Sequence, residues 1–272
     1  MTKKAKSVHC AKILTYGIQK GGACKTTSCA ISGFLLAEKG YKVLLVDADP
    51  QGNQTEIWTG RAIREYREED RGGILAALEA EPTGSKTREQ IIILTDNIHL
   101  LMGNEMLGVF PRPGWHGDVQ RAVENMLAPV VNDYDFILID TAPALNYLLT
   151  SCICASVSGG VVALFEAGKF CYSALFSFIE TIEYVQTNGY PDLRVLGILC
   201  SLIDNRRTDN KDFLSYVQGD EYLGDHCFRT VISRQAAAGR LAFTGFFNNP
   251  ELELAIKQYR PFIKELLERV NA

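Results

Sequence analysis

No apolar run in this sequence approaches the roughly 20 residues that a membrane-spanning helix needs. The N-terminus is polar and basic, with Lys3, Lys4 and Lys6, and no signal peptide is visible. Neither a spanning helix nor a leader is therefore expected, and the expected location is the cytoplasm. An excess of charge of one sign is missing too. Lys and Arg number 28 against 32 Asp and Glu, so the net charge is −4, and nucleic acid could be held only by a local basic patch. Cysteine is not scarce, but its eight copies are scattered through apolar runs at 10, 24, 29, 152, 154, 171, 200 and 227. That is the pattern of buried thiols in a reducing compartment, not of a disulfide framework. Cys152 and Cys154 have the C-x-C spacing of a metal ligand pair, yet no second pair or nearby His completes a site. Linkers, low-complexity stretches and internal repeats are lacking, so residues 11–272 are expected to form a single domain behind a disordered basic tail, 1–10.

What is present is a regular alternation of short apolar runs with helical patterns. Strands are predicted at 11–17, 41–46, 136–140, 160–165, 194–202 and 228–232, with further candidates within 86–94 and 98–102. Helices are predicted at 26–39 (closed by Gly40), 72–78, 118–131, 145–155, 169–187 and 251–270, the last with a break at Pro261. Residues 61–71 read as a charged excursion with no apolar face and 203–210 as a polar, basic loop. Strands that are apolar throughout are buried on both faces. The fold class expected is α/β, one doubly wound, mostly parallel sheet with helices on both faces.

The chain is organised around Lys20-Gly21-Gly22-Ala23-Cys24-Lys25-Thr26-Thr27, which follows the first strand and opens the first helix. A strand, a glycine turn and a helix N-terminus collect backbone N–H donors and a positive dipole end around an anion, as a triphosphate requires. Lys25 would reach the β- and γ-phosphates of ATP, and the Thr26 hydroxyl would ligate Mg²⁺. The strict phosphate-loop pattern G-x-x-x-x-G-K-[ST] is not met, because Gln19 and Cys24 stand where its two glycines belong. In a doubly wound sheet, ligands gather at the carboxyl ends of the strands. Two more strands end there in acids: one in Asp47-Ala48-Asp49-Pro50-Gln51-Gly52-Asn53, the other in Asp140.

The octapeptide, with its early second lysine, resembles the deviant Walker A box of the ParA/MinD family of P-loop ATPases. VDADPQGN resembles that family's D-x-D-P-Q-G-N box, and FILID-TAP its Walker B. The resemblance implies an Mg²⁺-dependent ATPase whose nucleotide is held by Lys20, Gly21, Gly22, Ala23, Cys24, Lys25, Thr26 and Thr27. It implies that Lys20 reaches across a homodimer interface to the partner's nucleotide. Asp49 would orient the attacking water, Asp47 would stand in the second shell of Mg²⁺, and Asp140 with Thr26 would hold the ion. TVISRQ resembles a family stretch near the adenine, which points to Arg234, although AAAGR follows where a basic residue and an acid are usual. Cys24 departs from the family's glycine and brings a Cβ and a thiol beside the phosphates.

For ParA-type members the resemblance further implies an ATP-bound dimer that binds double-stranded DNA without sequence preference. Such a protein is nucleoid-associated and drives plasmid or chromosome partition, with hydrolysis stimulated by a ParB-like adaptor. Candidate DNA contacts are Arg206, Arg207, Lys211, Arg240, Lys257 and Arg260. The ten residues before the first strand match the short, Soj-like kind, without an N-terminal helix-turn-helix domain. Two alternatives are a ParA-like ATPase that positions a protein cargo on the nucleoid and a MinD-like membrane regulator. No membrane binding is expected. Ile263, Leu266, Leu267 and Val270 form an apolar stripe, but the face with Lys264, Glu265, Glu268 and Arg269 is neutral, whereas anionic membranes favour basic faces.

Overall fold

The computed structural model describes residues 10–18, 24–66, 72–80, 86–167, 169–204 and 208–272. Lys20, Gly21, Gly22, Ala23, Arg206, Arg207 and most of the expected tail lie outside the described residues. The strands are β1 (Lys12–Gly17), β2 (Val43–Ala48), β3 (Ile91–Ile93), β4 (Ile98–Leu101), β5 (Phe136–Thr141), β6 (Gly160–Glu166), β7 (Val195–Ile203) and β8 (Cys227–Ser233). They form one eight-stranded sheet in the order β3-β4-β2-β5-β1-β6-β7-β8. Every pairing is parallel except that of the edge strand β3 with β4.

Each central strand alternates its side chains between two faces. Leu14, Tyr16, Val43, Leu45, Phe136 and Leu138 belong to the core shared with α1 (Lys25–Glu38), α2 (Asn53–Thr59) and α10 (Tyr259–Val270). Ile13, Leu44, Val46, Ile137 and Ile139 face the other way, toward α3 (Gly73–Glu79), α4 (Ala122–Leu127) and α5 (Tyr147–Ala155). The sheet is therefore covered on both faces, as its apolar runs require. The chain passes from β1 to β2 on one side of the sheet, while β6 to β8 extend on the other. The switch point, where such sheets bind ligands, lies at the carboxyl end of β1.

Several boundaries differ from the sequence expectations. β2 starts at Val43, and Tyr41 instead packs edge-on against Phe136 with ring centroids 5.1 Å apart. The helix expected over 118–131 shrinks to α4. Asp118 accepts the N–H of Gln120 in a turn before it, and Pro129 follows its end. Residues 61–66 are not wholly solvated, because Ile63 is 3% exposed. The helix expected over 169–187 is α6 (Lys169–Thr187), whereas three helices were not anticipated: α2, α7 (Thr208–Gly219) and α8 (Ala236–Thr244). The expected break at Pro261 falls earlier, between α9 (Leu252–Ile256) and α10. Pro261 is the third residue of α10, where its missing N–H has no intrahelical partner to lose.

The stripe on α10 is core, with Ile263, Leu266 and Val270 buried. The face opposite is not simply polar surface. Glu265 is buried and accepts the N–H groups of Arg229 (2.8 Å) and Thr230 (3.2 Å) on β8. Arg269 donates to three backbone carbonyls, those of Leu196, His226 and Cys227, and lies over the Phe228 ring. Among the described residues no helix is long and apolar enough to cross a membrane.

Candidate nucleotide-binding site

Alternation along the strands decides which acids meet α1. Asp140 shares the face of Phe136 and Leu138, and Asp47 that of Val43 and Leu45, so both point to the α1 side. They are register partners on adjacent parallel strands, and both are fully buried. Two carboxyl groups are thus set side by side in the low-dielectric floor of the switch-point crevice.

Their surroundings separate them. Asp47 is tied down: Oδ2 accepts the Thr55 N–H at 2.8 Å and the Thr55 hydroxyl at 2.6 Å, while Oδ1 accepts the Asp49 N–H at 3.3 Å. Burial raises its pKa to about 7, against the opposing pull of those bonds. Among the described residues neither oxygen of Asp140 has a well-formed hydrogen bond, although the Thr26 side chain lies near it. Burial, with the neighbouring Asp47, pushes its pKa well above the carboxylate range, while Thr26 and Lys25 pull it back. An orphaned buried carboxyl is costly unless a cation or a donor meets it. No cage of three or more His, Cys, Asp or Glu exists among the described residues. One open carboxyl and a threonine hydroxyl suit Mg²⁺, which keeps its waters and leans on substrate phosphates.

Lys25 and Thr26 reach the site because α1 starts there. Lys25 is 6% exposed, and burial lowers its pKa while Asp140 and Asp49 oppose the shift. Among the described residues, buried Lys25 therefore faces Asp140 and Asp49. Asp49 is buried in the turn after β2, where its side chain accepts the Gln51 N–H at 2.9 Å and its carbonyl the Gly52 N–H at 3.0 Å. Thr26 and Thr27 are half-buried in the first turn of α1.

Cys24 immediately precedes α1, and its carbonyl accepts the Ser28 N–H at 2.8 Å. Its φ of 55° is left-handed, a conformation that glycine adopts without cost and that an L-residue adopts at about 1 kcal/mol or more. The backbone thus keeps the turn that the family's glycine serves. Burial pushes the thiol up to about 11, with Glu166 adding to the shift and Arg234 and Lys25 opposing it. The thiol is neutral at physiological pH. Arg234, placed at the end of β8, donates to Glu166 at 3.2 Å and so stands at the rim beside Cys24.

The candidate DNA contacts are arranged differently. Arg240 on α8 makes a bidentate pair with Glu251, both bonds 2.8 Å. Arg260 on α10 pairs with Glu38 and Glu253, and exposed Lys257 lies between α9 and α10. Three cations here face three carboxylates. Lys211 is exposed on α7, outside this group.

Sequence reasoning missed Thr55 and Gly103. The Gly103 N–H donates to the Thr55 hydroxyl at 2.9 Å, and a Cβ on Gly103 would stand 3.0 Å from Asp47 Cγ. The available signal was a threonine two residues past the D-x-D-P-Q-G-N box, whose partner is 48 residues away.

A mostly parallel sheet whose strand order reverses at β1, a helix starting at the carboxyl end of that strand and acids on β5 and β2 fit a P-loop nucleoside triphosphatase. Comparison with known proteins narrows the class. A model of the AAA domain family matches residues 11–195. The chromosome-partitioning ATPase Soj of Thermus thermophilus is 30% identical over 265 residues, covering 93% of this chain and 94% of that protein. Cobyrinic acid a,c-diamide synthase from Mycobacterium smegmatis, solved with a bound ATP analogue and magnesium, superposes with a TM-score of 0.70. It is 28% identical and covers 86% of this chain and 91% of that one. A putative plasmid partition protein from Borrelia burgdorferi, solved with AMPPNP, shares the fold with a TM-score of 0.77. Its identity is 22%, over 95% of this chain and 99% of that one. The chain belongs to the AAA domain family of P-loop ATPases, among its Soj/ParA-like members.

Proposed function

We propose that the protein is a Mg²⁺-dependent ATPase whose ATP-bound homodimer binds double-stranded DNA without sequence preference and segregates DNA cargo with a ParB-like adaptor. The observation that carries the ATPase half is the open, buried Asp140 carboxyl beside clamped Asp47 and facing Lys25. Lys25 neutralises the phosphates, and the backbone donors of the turn and α1 orient them. Thr26 and Asp140 would hold Mg²⁺, which would supply charge neutralisation at the phosphates. Asp49, on the adjacent turn, positions the attacking water. Lys20 enters from the second copy and stabilises charge on the transferring group. Dimerisation is supported by apolar surface on the loops after β4 and β5, where Met106, Val109, Leu145 and Tyr147 are each about half exposed or more.

The DNA half rests on kinship with Soj and on the C-terminal basic residues. The test is binding of the Asp49→Ala protein, which should hold ATP without turnover, to random-sequence duplex DNA. ATP, ADP and no nucleotide are compared across a salt series. Binding that needs ATP, ignores sequence and falls steeply with salt is expected. An ATP-induced dimer that ignores DNA at low salt would sink the DNA half and leave the ATPase half standing.

A further inference from the structure

Gly52, the residue before α2, has no side chain to cap that helix, and the carboxyl of Asp47 fills the place. Asp47 Oδ2 takes the N–H of Thr55 at 2.8 Å, which satisfies a donor in the first turn. The Thr55 hydroxyl, fully buried, then donates to the same oxygen at 2.6 Å and accepts the Gly103 N–H at 2.9 Å. Proton donation therefore runs one way, from the amide of the turn after β4, through the hydroxyl, to the carboxyl. Oδ1 keeps just the 3.3 Å contact from the Asp49 N–H and remains available to the hydration shell of a cation. Next to it on the sheet, Asp140 has no such clamp.

We propose that Thr55 is a positioning residue of the ATPase site: its hydroxyl locks Asp47 in one orientation, so that Asp47 serves the metal's water shell and Asp140 takes the metal. The role rests on the nucleotide reading above. It needs both halves of a hydroxyl, a proton for Asp47 and a lone pair for Gly103. Serine supplies both. Valine, of the same shape, supplies neither and leaves Oδ2 held by the residue-55 N–H without the hydroxyl. The same bonds hold α2 and the Gly103 turn to the site, so the carboxyl and these two elements move together.

The experiment compares wild type, Thr55→Val and Thr55→Ser. Binding of a fluorescent ATP analogue is measured in EDTA and in Mg²⁺, alongside steady-state hydrolysis and thermal melting. Thr55→Val should bind the analogue in EDTA like wild type and lose most of the gain that Mg²⁺ confers. Its kcat should fall roughly 10–100-fold, the usual effect of removing a group that orients a metal's neighbours, and its KM for Mg²⁺–ATP should rise with the lost Mg²⁺ gain. Thr55→Ser should restore both. A Thr55→Val protein that keeps the full Mg²⁺ gain overturns the role. So does one that melts lower and loses binding equally with and without Mg²⁺, because the hydroxyl would then be holding the fold alone. A wild type that gains nothing from Mg²⁺ overturns the nucleotide reading and this role together, and so is told apart from a failure confined to Thr55.

Discussion

Cys24 shows how one residue can break a motif and keep its geometry. The left-handed φ of 55° is what glycine would adopt there, so Cys24→Gly should relieve backbone strain and raise stability by about 1 kcal/mol. Thermal melting would read this as a rise of a few degrees. An unchanged or lower melting temperature would mean that the thiol's packing outweighs the strain. Lys25→Ala removes the cation that faces Asp140 and Asp49, and nucleotide binding measured by fluorescence should be lost. At this scale the sequence was partly legible. Lys25, Asp47, Asp49 and Asp140 are recognisable because each closes a strand or opens a helix. Thr55 and Gly103 were not, since a hydrogen bond between residues 48 apart leaves no local spacing to read.

Elements carry the next level. Phe246 follows α8 and is sandwiched between Phe34 of α1 and Trp58 of α2, with ring centroids at 5.1 and 4.2 Å. One ring thus joins three helices, two of which frame the site. Phe246→Ala should cost roughly 3–5 kcal/mol in denaturant unfolding, and a loss below about 1 kcal/mol would show that the helices close over the gap. Glu265 fastens α10 to β8. Burial alone would raise its pKa, but the N–H groups of Arg229 and Thr230, with Arg269, outweigh it and hold it below the ordinary value. A carboxyl depressed in the folded state stabilises the fold above its unfolded pKa, and that share is lost as pH falls through the folded pKa. Glu265→Gln should therefore lower stability by about 1–3 kcal/mol at neutral pH. It should also flatten the acid limb of the melting temperature below roughly pH 4.3, the unfolded value. An acid limb as steep as that of wild type would assign the acid sensitivity to other carboxyls. α7 escaped the sequence reading because its apolar positions are few. Phe213, Leu214 and Val217 mark the inner face of α7, and tertiary packing selects the helix where local pattern is weak.

For the molecule as a whole, charge pairing sets the expected DNA behaviour. Arg240 and Arg260 can bind phosphate just by releasing Glu251, Glu253 and Glu38. Glu251→Gln with Glu253→Gln should raise ATP-dependent affinity for duplex DNA severalfold and steepen its salt dependence by about one to two phosphate contacts. Affinity unchanged in a salt titration would place the DNA face elsewhere. Lys20→Ala should leave nucleotide binding intact and abolish the ATP-dependent dimer in sedimentation. A variant that still dimerises with full turnover would remove the role given to Lys20. By itself the sequence determined the sheet and its crevice, because runs buried on both faces and acids at strand ends are properties of neighbouring residues. What tertiary structure decided is which groups stay open. Pairing across distant segments clamps Asp47 and, among the described residues, gives Asp140 no such clamp, buries Glu265 that reads as surface, and turns a basic stretch into ion pairs. Those outcomes depend on which partner the fold brings within hydrogen-bond reach, and no spacing along the chain encodes that distance.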